Sequence, residues 1–442
     1  MRKSLSTPFE KARWEAYFAL DKSKGAPVKK RFMQVKRAYY EGTSLEETQE
    51  KIRNLIRHAV ATTDFYKDYD PETDLKNLPI VNKALFKEKY ESFRSSIYRD
   101  AEDNRIMTTS GSTGTPFAMI QDKRKINCNT ADSIFMGTLA NYHIGQKQAF
   151  IRVWVNNVKK GKIRLMMENS IMIDSSSLSD ESLEKMVRLI RDKKVKCLVG
   201  YASALGELGH YIKRTKQDTS KFSVCSIIPI SENMPVGTRN ELSDIFDCPV
   251  RSWYSNEENG IMGVQVKDNS EAYYINSESY FYEILKMDSD EPAEDGELGR
   301  IVITDLTNYA FPVIRYDNGD TAVAHHEDMG NGKFRLFLDE LYGRRSDLIY
   351  DTKGRAVTPY LITNNMWDVE GVDQFRFLQT GLKSYELRLN GDQAVMDVDD
   401  MISRIKPTLG EDADIEVTFV DEIPVLASGK RKYIENLCPE YK

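Results

Sequence analysis

Short apolar runs alternate with helical patterns between residues 150 and 255, and this alternation limits the possible folds more than any other feature of the sequence. The apolar runs predict strands at 149–155, 195–199, 223–230 and 248–254. Between them, apolar residues recur with the period of an amphipathic helix, which predicts helices at 181–192, 202–213 and 237–246. Because parallel strands are usually joined by helical crossovers, the alternation predicts an α/β layer with a largely parallel sheet.

The segments on either side of this region carry different patterns. The first hundred residues predict helices, with a capping box at Ser44–Glu47. The apolar stripe that follows this capping box consists of Ile52, Leu55, Ile56, Ala59 and Val60. Residues 271–320 are rich in aromatic and β-branched residues, with turn signals at Asp295-Gly296 and Asn318-Gly319. This composition predicts an antiparallel β region.

A second pattern begins near the segment YGRRSD at 342–347. Beyond it, the sequence predicts an α+β domain whose elements are strands near 373–379, 384–390 and 414–420 and a helix near 398–409. A chain of 442 residues is also longer than one ordinary hydrophobic core. We therefore predict a large multi-layered N-terminal domain, 1–343, with a helical arm over 1–100, and a smaller mobile α+β domain, 344–442.

Composition narrows the classes of protein to consider. The formal net charge of −6 argues against broad electrostatic capture of nucleic acid, so we expect no nucleic-acid partner. The five cysteines are scattered without a CxxC pair, which favours a reducing compartment over a disulfide framework or a zinc knuckle. No apolar run approaches the ~18 residues that a membrane span needs, and the N-terminus lacks a signal-peptide core. We therefore expect a cytoplasmic protein with no membrane span.

The loop TTSGSTGTP at 108–116 lies between two predicted strands. Every position except the final proline is a glycine or carries a hydroxyl. Glycines allow successive backbone N–H groups to point into a concave surface that binds anions, and the hydroxyls add donors. The loop has no Gly-Lys-Ser/Thr ending and no following helix, so it is not a Walker loop. Taken alone, it predicts either a phosphate cradle or a flexible polar hairpin.

Three further segments carry chemical groups that suit a nucleotide site. RSWYSNEENG at 251–260 follows a predicted strand, where its aromatic ring could stack on a base and its carboxylates could bind magnesium. In YAFPVIRYDNGD at 309–320, a carboxylate near a cleft could accept hydrogen bonds from a ribose. In PVLASGKRKY at 424–433, a lysine on an exposed turn offers a mobile cation. Each segment alone also fits a structural alternative: an acidic turn, a structural aspartate or a surface lysine.

In this order, the four segments resemble the motifs of the adenylate-forming superfamily of acyl-CoA synthetases, luciferases and peptide-synthetase adenylation domains. TTSGSTGTP resembles its phosphate loop, Tyr254 to Glu258 its Tyr-Gly-x-Thr-Glu motif, and RYDNGD the motif with the ribose-binding aspartate. Gly343 to Asp347 resembles the hinge between domains, and Pro424 to Lys430 the C-terminal lysine motif. LPIVNKALFKEKY before the loop, GYASALGEL at 200–208 and Ser231-Glu232 resemble the phenylacetate–CoA ligase branch, which includes relatives in capsule biosynthesis.

The resemblance implies roles for individual residues. Lys430 bridges the carboxylate and the α-phosphate, Glu258 binds Mg²⁺, Tyr254 packs against adenine, Asp320 takes the ribose hydroxyls, and Arg344 contacts the ribose or phosphate. The remaining implied ATP- and AMP-binding residues are Thr109, Ser110, Gly111, Ser112, Thr113, Gly114, Ser231, Glu232 and Ser255. Residues in segments that could line an acyl pocket are Tyr142, His143, Ser203, Met262 and Gly263, although His143 and the aromatic residues also fit the core or the surface.

The sequence departs from the family pattern at three positions. Ser255 replaces the glycine after the motif tyrosine, Glu257 replaces the hydroxyl residue before Glu258, and Ser346 replaces the usual Asp or Lys of the hinge. The second carboxylate at 257 puts the geometry of the metal site in question. The segment 261–276 has no Cys or His, so we expect no zinc.

We therefore expect an ATP- and Mg²⁺-dependent ligase that activates a small carboxylic acid as an acyl-adenylate and transfers it to a thiol, with coenzyme A as co-substrate. An alternative is transfer to an amine or sugar in polysaccharide or secondary-metabolite synthesis. A further alternative is a nucleotide-binding protein that keeps the fold without turnover. We expect a monomer or a homodimer.

Overall fold

The computed structural model of the chain describes residues 7–99, 101–109, 117–154, 161–267, 270–344, 348–357, 362, 365–366, 369–424 and 432–441. Its α-helices, in chain order, are α1 Pro8–Ser23, α2 Pro27–Glu41, α3 Leu45–Thr62, α4 Lys83–Glu88, α5 Tyr90–Phe93, α6 Lys123–Leu139, α7 Lys162–Glu168, α8 Asp180–Asp192, α9 Ala202–Arg214, α10 Val236–Phe246 and α11 Val398–Leu409.

The strands of the described residues, in chain order, are β1 Thr43–Ser44, β2 Val81–Asn82, β3 Arg105–Thr109, β4 Phe117–Gln121, β5 Gln148–Arg152, β6 Ser170–Asp174, β7 Cys197–Tyr201, β8 Ser226–Ile230, β9 Trp253–Asn256, β10 Gly260–Gln265, β11 Tyr273–Ile275, β12 Tyr280–Leu285, β13 Leu298–Asp305, β14 Tyr316–Gly330, β15 Lys333–Arg344, β16 Ile349–Tyr350, β17 Ala356–Val357, β18 Val372–Gln379, β19 Ser384–Gly391, β20 Asp414–Phe419 and β21 Ile434–Asn436.

The chain divides into two compact units. The parallel-sheet unit contains Lys147–Val250 and Tyr342–Lys442. The antiparallel-sheet unit contains Lys3–Gln146 and Arg251–Leu341. Mixed α/β architecture with parallel and antiparallel sheets confirms the predicted fold class. The division of the chain at residue 344 into a large and a mobile domain stays a prediction.

In the parallel-sheet unit, the strands of the first sheet lie in the order β6-β5-β7-β8, and all neighbours are parallel. Helix α8 buries the four apolar residues that its periodicity predicts: Leu183, Met186, Val187 and Ile190. The sequence predicts that the strand near 195–199 ends at Gly200, but β7 runs on to Tyr201. The reason is close packing, since a Cβ atom on Gly200 would lie 2.7 Å from the Ile151 carbonyl oxygen of β5. The glycine therefore allows the strand to continue.

The C-terminal part of the same unit forms a second sheet in the order β20-β19-β18-β21. Strands β18 and β19 are antiparallel, whereas β20 and β21 join them in parallel. Helix α11 packs its buried residues Met401, Ile405 and Leu409 into the core of this sheet. The predicted α+β pattern is confirmed, and β21 is an additional strand that the sequence did not indicate.

The antiparallel-sheet unit contains the sheet β12-β13-β14-β15-β11-β10-β9, with β1 paired to β15 and β2 paired to β14. The expected turn at Asp295-Gly296 lies between β12 and β13, where Gly296 has φ +87°. The expected turn at Asn318-Gly319 is wrong, because both residues lie inside β14. There the pairing with β13 shifts register between Arg300 and Val302, so the glycine and the asparagine form a β-bulge.

The N-terminal helices complete this unit. Ser44 is the N-cap of α3, and its Oγ accepts a hydrogen bond from the Glu47 backbone N–H at 3.2 Å, which is the first half of the predicted capping box. The helix buries Ile52, Leu55, Ile56 and Ala59 as predicted, and Val60 is partly exposed. Strand β2 and helix α4, which follow this arm, bring Lys83 to the antiparallel sheet.

Candidate nucleotide and metal site

The bulge in β14 arises from the local chemistry of Asp317-Asn318-Gly319-Asp320. Asp317 Oδ1 accepts from the Gly319 N–H at 2.9 Å, and Asn318 Oδ1 accepts from the Asp320 N–H at 3.0 Å. Such side chains bond the backbone two residues on, and Gly319 supplies the positive φ of +86°. Because bulges redirect side chains, the sequence DNGD turns Asn318 and Asp320 towards β9.

Tyr254, Asn318 and Asp320 form a closed triangle of hydrogen bonds. The Tyr254 hydroxyl donates to Asp320 Oδ2 at 2.8 Å. Asn318 Nδ2 donates to the Tyr254 hydroxyl oxygen at 2.7 Å and to Asp320 Oδ2 at 2.9 Å. Burial of the ring and the charge of Asp320 hold the pKa of Tyr254 well above its usual value of 10.0, so the phenol stays a donor. The structure thus brings together the residues expected to contact adenine and ribose.

Glu258 lies at the tip of the β9–β10 hairpin and is nevertheless buried, with 5% of its surface exposed. Its neighbour Glu257 is exposed. Asn259 N–H donates to Asn256 Oδ1 at 2.7 Å, and Gly260 closes the turn with φ +100°. The two adjacent carboxylates therefore occupy different environments, and only Glu258 turns inward. Ser255 lies in β9 and pairs with Ile261.

The charge partner of Glu258 is Lys83, the first residue of α4. Lys83 Nζ lies 3.0 Å from Glu258 Oε1, and their side chains are 27% and 7% exposed. A carboxylate is a hard oxygen ligand of the kind that Mg²⁺ uses in sites where the remaining ligands are water and phosphate oxygens. The buried Glu258 carboxylate therefore fits a magnesium ligand, although a bound metal has to compete with the lysine for it. Among the described residues, there is no cluster of three or more His, Cys, Asp or Glu side chains that could hold a metal alone.

Strands β3 and β4 are antiparallel, with Thr109 paired to Phe117, so they confirm the two strands expected on either side of residues 110–116. Thr109 is the last residue of β3, and Arg344 is the last residue of β15. The implied phosphate-binding residues Ser110, Gly111, Ser112, Thr113 and Gly114 lie outside the described residues, as does Lys430. Their roles stay predictions.

In the parallel-sheet unit, three predicted residues lie close together at the carboxyl ends of β7 and β8. Glu232 Oε2 accepts a hydrogen bond from the Ser203 N–H at 2.9 Å, in the first turn of α9. A carboxylate is favourable at a helix N-terminus because the first N–H groups have no partner within the helix. Ser231 has φ +70°, a strained value for a non-glycine residue. These strand ends are where α/β sheets place their ligands.

The other residues proposed for an acyl pocket lie in packed surroundings. Met262 is fully buried in the cluster that includes Tyr254. A Cβ atom on Gly263 would lie 2.9 Å from the Tyr274 carbonyl oxygen, so this glycine allows close pairing of β10 and β11. Tyr142 is buried, and its ring would lie 3.1 Å from a Cβ on Gly137. His143 lies beside Trp14, with 6.3 Å between the ring centroids, and burial lowers its pKa. An acyl pocket at these residues stays a prediction.

Sequence reasoning missed two members of this site. Lys83 stands in LPIVNKALFKEKY, a segment that carried the family resemblance without a role for its lysine. Asn318 stands in RYDNGD, where it had been interpreted as a turn residue. Both contacts join residues that are far apart in the sequence, so local patterns could not indicate them.

The chain is similar in sequence to known proteins over part of its length. Residues 349–437 match a family model described as the CapK C-terminal domain. Protein CapK of Staphylococcus aureus is 22% identical over 276 residues, which are 61% of this chain and 59% of that protein. The chain thus matches less than two thirds of the length of this relative. The phenylacetate-coenzyme A ligase of Thermus thermophilus is 21% identical over 338 residues, 70% of this chain and 74% of that protein.

Solved structures show the same fold. The crystal structure of 2-hydroxyisobutyryl-CoA ligase in the postadenylation state superposes with a TM-score of 0.71 at 14% identity. The superposition covers 90% of this chain and 91% of that one.

All five cysteines of the present chain are buried free thiols. Within the described part of the chain, no helix has the length and apolar character needed to cross a membrane.

Proposed function

We propose that this chain belongs to the adenylate-forming superfamily of acyl-CoA synthetases and is an AMP-forming ligase that activates a carboxylic acid with ATP. The observation that carries the proposal is the Tyr254–Asn318–Asp320 triangle on a β-bulge, with the inward-facing Glu258 on the hairpin that follows Tyr254. Among these residues, the family motifs assign adenine to Tyr254, ribose to Asp320 and the metal to Glu258.

The triangle supports nucleotide binding in a specific way. A carboxylate fixed by two donors cannot rotate freely, so the acceptor positions that it offers to a ribose diol are set before the ligand arrives. The ring of Tyr254 is buried next to that carboxylate, and in this proposal the adenine base packs against it. In this proposal, the backbone N–H groups of Ser110–Gly114 hold the β- and γ-phosphates.

Catalysis in the first half-reaction consists mainly of positioning and charge neutralisation. An oxygen of the substrate carboxylate forms a bond to the α-phosphorus, and the bond to pyrophosphate breaks. Both reactants are anions, so cations have to offset their repulsion. Lys430 supplies one positive charge between the carboxylate and the α-phosphate. Magnesium, when bound, adds positive charge at the phosphates, and Glu258 is the residue that would hold it.

In the second half-reaction we propose transfer of the acyl group to a thiol, with coenzyme A as the acceptor. The match to phenylacetate-coenzyme A ligase over 70% of the chain supports this choice. Rotation of the C-terminal domain at residues 344–347 would withdraw Lys430 and admit the acceptor. The free, buried cysteines support a reducing, cytoplasmic location.

A second candidate acceptor is an amine or sugar of a growing polysaccharide. The observation that favours it is the match of residues 349–437 to the CapK C-terminal domain. AMP release measured with one activated acid, and with coenzyme A or amine acceptors added in turn, separates the two. Thiol-dependent release supports a CoA ligase, and release only with amines or sugars supports the second candidate. No AMP with any acid, despite measurable ATP binding, contradicts both and indicates a nucleotide-binding protein without turnover.

A further inference from the structure

Lys125 and Asp305 form an ion pair in the interior of the antiparallel-sheet unit. Both side chains are 0% exposed, and Lys125 Nζ lies 2.5 Å from Asp305 Oδ2. Lys125 lies in the first turn of α6, and Asp305 is the last residue of β13. Removal of two charges from water carries a large desolvation cost, so such a pair is weak evidence of stabilisation.

A hydrogen-bonded path leads from this pair to the turn that carries Glu258. Lys125 Nζ lies 3.1 Å from the hydroxyl oxygen of Tyr280. Tyr280 is buried and is the first residue of β12. That hydroxyl donates to the carbonyl oxygen of Asn259, the residue after Glu258. The lysine is thus held by Asp305 on one side, and it orients the tyrosine hydroxyl on the other.

The same turn is braced from a second direction. Gln121, the last residue of β4, directs its Nε2 towards the Glu258 carbonyl oxygen at 3.5 Å. Asn129 on α6 donates to Gln121 Oε1 at 3.3 Å, and a Cβ on Gly260 would lie 2.8 Å from Asn129 Oδ1. Elements β4, α6 and β12 therefore all fix the backbone on either side of Glu258.

We infer that Lys125, Asp305 and Tyr280 are positioning residues that fix the Glu258 carboxylate for a divalent metal bound with ATP. The inference rests on the proposed function, because it takes Glu258 as the metal ligand. Groups that orient a metal ligand through hydrogen bonds typically change metal affinity 10- to 100-fold when removed. A hairpin tip without these contacts leaves the carboxylate free to take several positions.

The test measures Mn²⁺ binding in the presence of saturating ATP by electron paramagnetic resonance, together with ATP binding without metal. Tyr280→Phe removes the hydroxyl and keeps the ion pair. We expect it to weaken Mn²⁺ binding about tenfold and to leave metal-free ATP binding unchanged. The matched control is Tyr274→Phe, because Tyr274 is a buried tyrosine whose hydroxyl has no hydrogen-bond partner among the described residues. This control should bind Mn²⁺ as the wild type does.

A second variant separates positioning from folding. Lys125→Met with Asp305→Asn removes both charges of the pair, and the asparagine oxygen keeps an acceptor for the hydrogen bonds that Asp305 Oδ1 receives from the Thr307 N–H and hydroxyl. We expect a folded protein with Mn²⁺ binding weakened at least as much as in Tyr280→Phe. Wild-type Mn²⁺ affinity in both folded variants would overturn the inference, and so would a wild type that binds no Mn²⁺ with ATP. Wild-type Mn²⁺ binding without any pyrophosphate exchange would count against the proposed function alone.

Discussion

Tyr254 donates its hydroxyl hydrogen to Asp320 across the antiparallel sheet, with 2.8 Å between the two oxygen atoms, and the β-bulge at 317–320 makes this contact possible. Tyr254→Phe removes one of the two side-chain donors to the half-buried Asp320 carboxylate. We expect the free energy of unfolding to fall by about 2 kcal/mol, because a hydrogen bond to a charged group is worth about 1.5–3 kcal/mol. Urea denaturation measures this change.

The matched control for this prediction is Tyr282→Phe. Tyr254 and Tyr282 are each 7% exposed and lie in the same core cluster, but within the described part of the chain the hydroxyl of Tyr282 has no hydrogen-bond partner. Its removal should leave stability almost unchanged. Equal effects of the two substitutions would show that the bond between Tyr254 and Asp320 contributes nothing beyond burial of the ring.

The ion pair between Lys83 and Glu258 predicts that the lysine competes with a metal. Lys83→Gln leaves Glu258 without its positive partner, so Mn²⁺ with ATP should bind roughly fivefold more tightly, which corresponds to about 1 kcal/mol for a partly exposed pair. Titration calorimetry with Mn²⁺ measures the affinity. The control is Lys89→Gln. Lys89 is exposed and is the C-cap residue of the same helix. Weaker metal binding in Lys83→Gln would mean that the lysine assists the metal site.

His58 should make the protein less stable in mild acid. Burial of its ring lowers its pKa from the usual 6.5, while Nε2 lies 2.8 Å from the Tyr309 carbonyl oxygen. The unfolded chain therefore takes up a proton at a higher pH than the folded protein does. Stability is present above pH 6.5 and is lost as the pH falls towards the folded pKa. Calorimetric melting from pH 7.5 to 5.5 should show a smaller loss for His58→Gln than for the wild type, and equal losses would contradict this assignment.

Local sequence patterns predicted much of the fold because local forces determine those parts. The period of Leu183, Met186, Val187 and Ile190 sets the buried face of α8, and short apolar runs predict β5, β7 and β8 of the parallel sheet. The sequence does not indicate β6, and the strand expected at 248–254 is wrong for this sheet, because the observed strand is β9 of the antiparallel sheet. The bulge at Asn318-Gly319 was predicted as a turn, because both features need a glycine with positive φ. Only the pairing with β13 distinguishes a bulge from a turn at this position.

The contacts of the site could not be predicted in the same way. Lys83 with Glu258, and Lys125 with Asp305, are pairs whose members lie in different elements, and tertiary packing alone brings them together. A lysine in the first turn of a helix is ordinarily exposed, so nothing in the local sequence marked Lys125 as buried. The motifs identified which residues matter, and the sheet geometry determines what each one contacts.

Carboxylate-dependent exchange of radiolabelled pyrophosphate into ATP tests the central proposal most directly. With a panel of aromatic, aliphatic and hydroxy acids, we predict exchange that depends on at least one acid in the wild type. Lys430→Ala should lower this exchange by about 100-fold or more while ATP binding is retained, because the lysine acts on the reacting charges. The control Lys432→Ala should exchange at nearly the wild-type rate. Absence of exchange with every acid, or wild-type exchange in Lys430→Ala, would contradict the account.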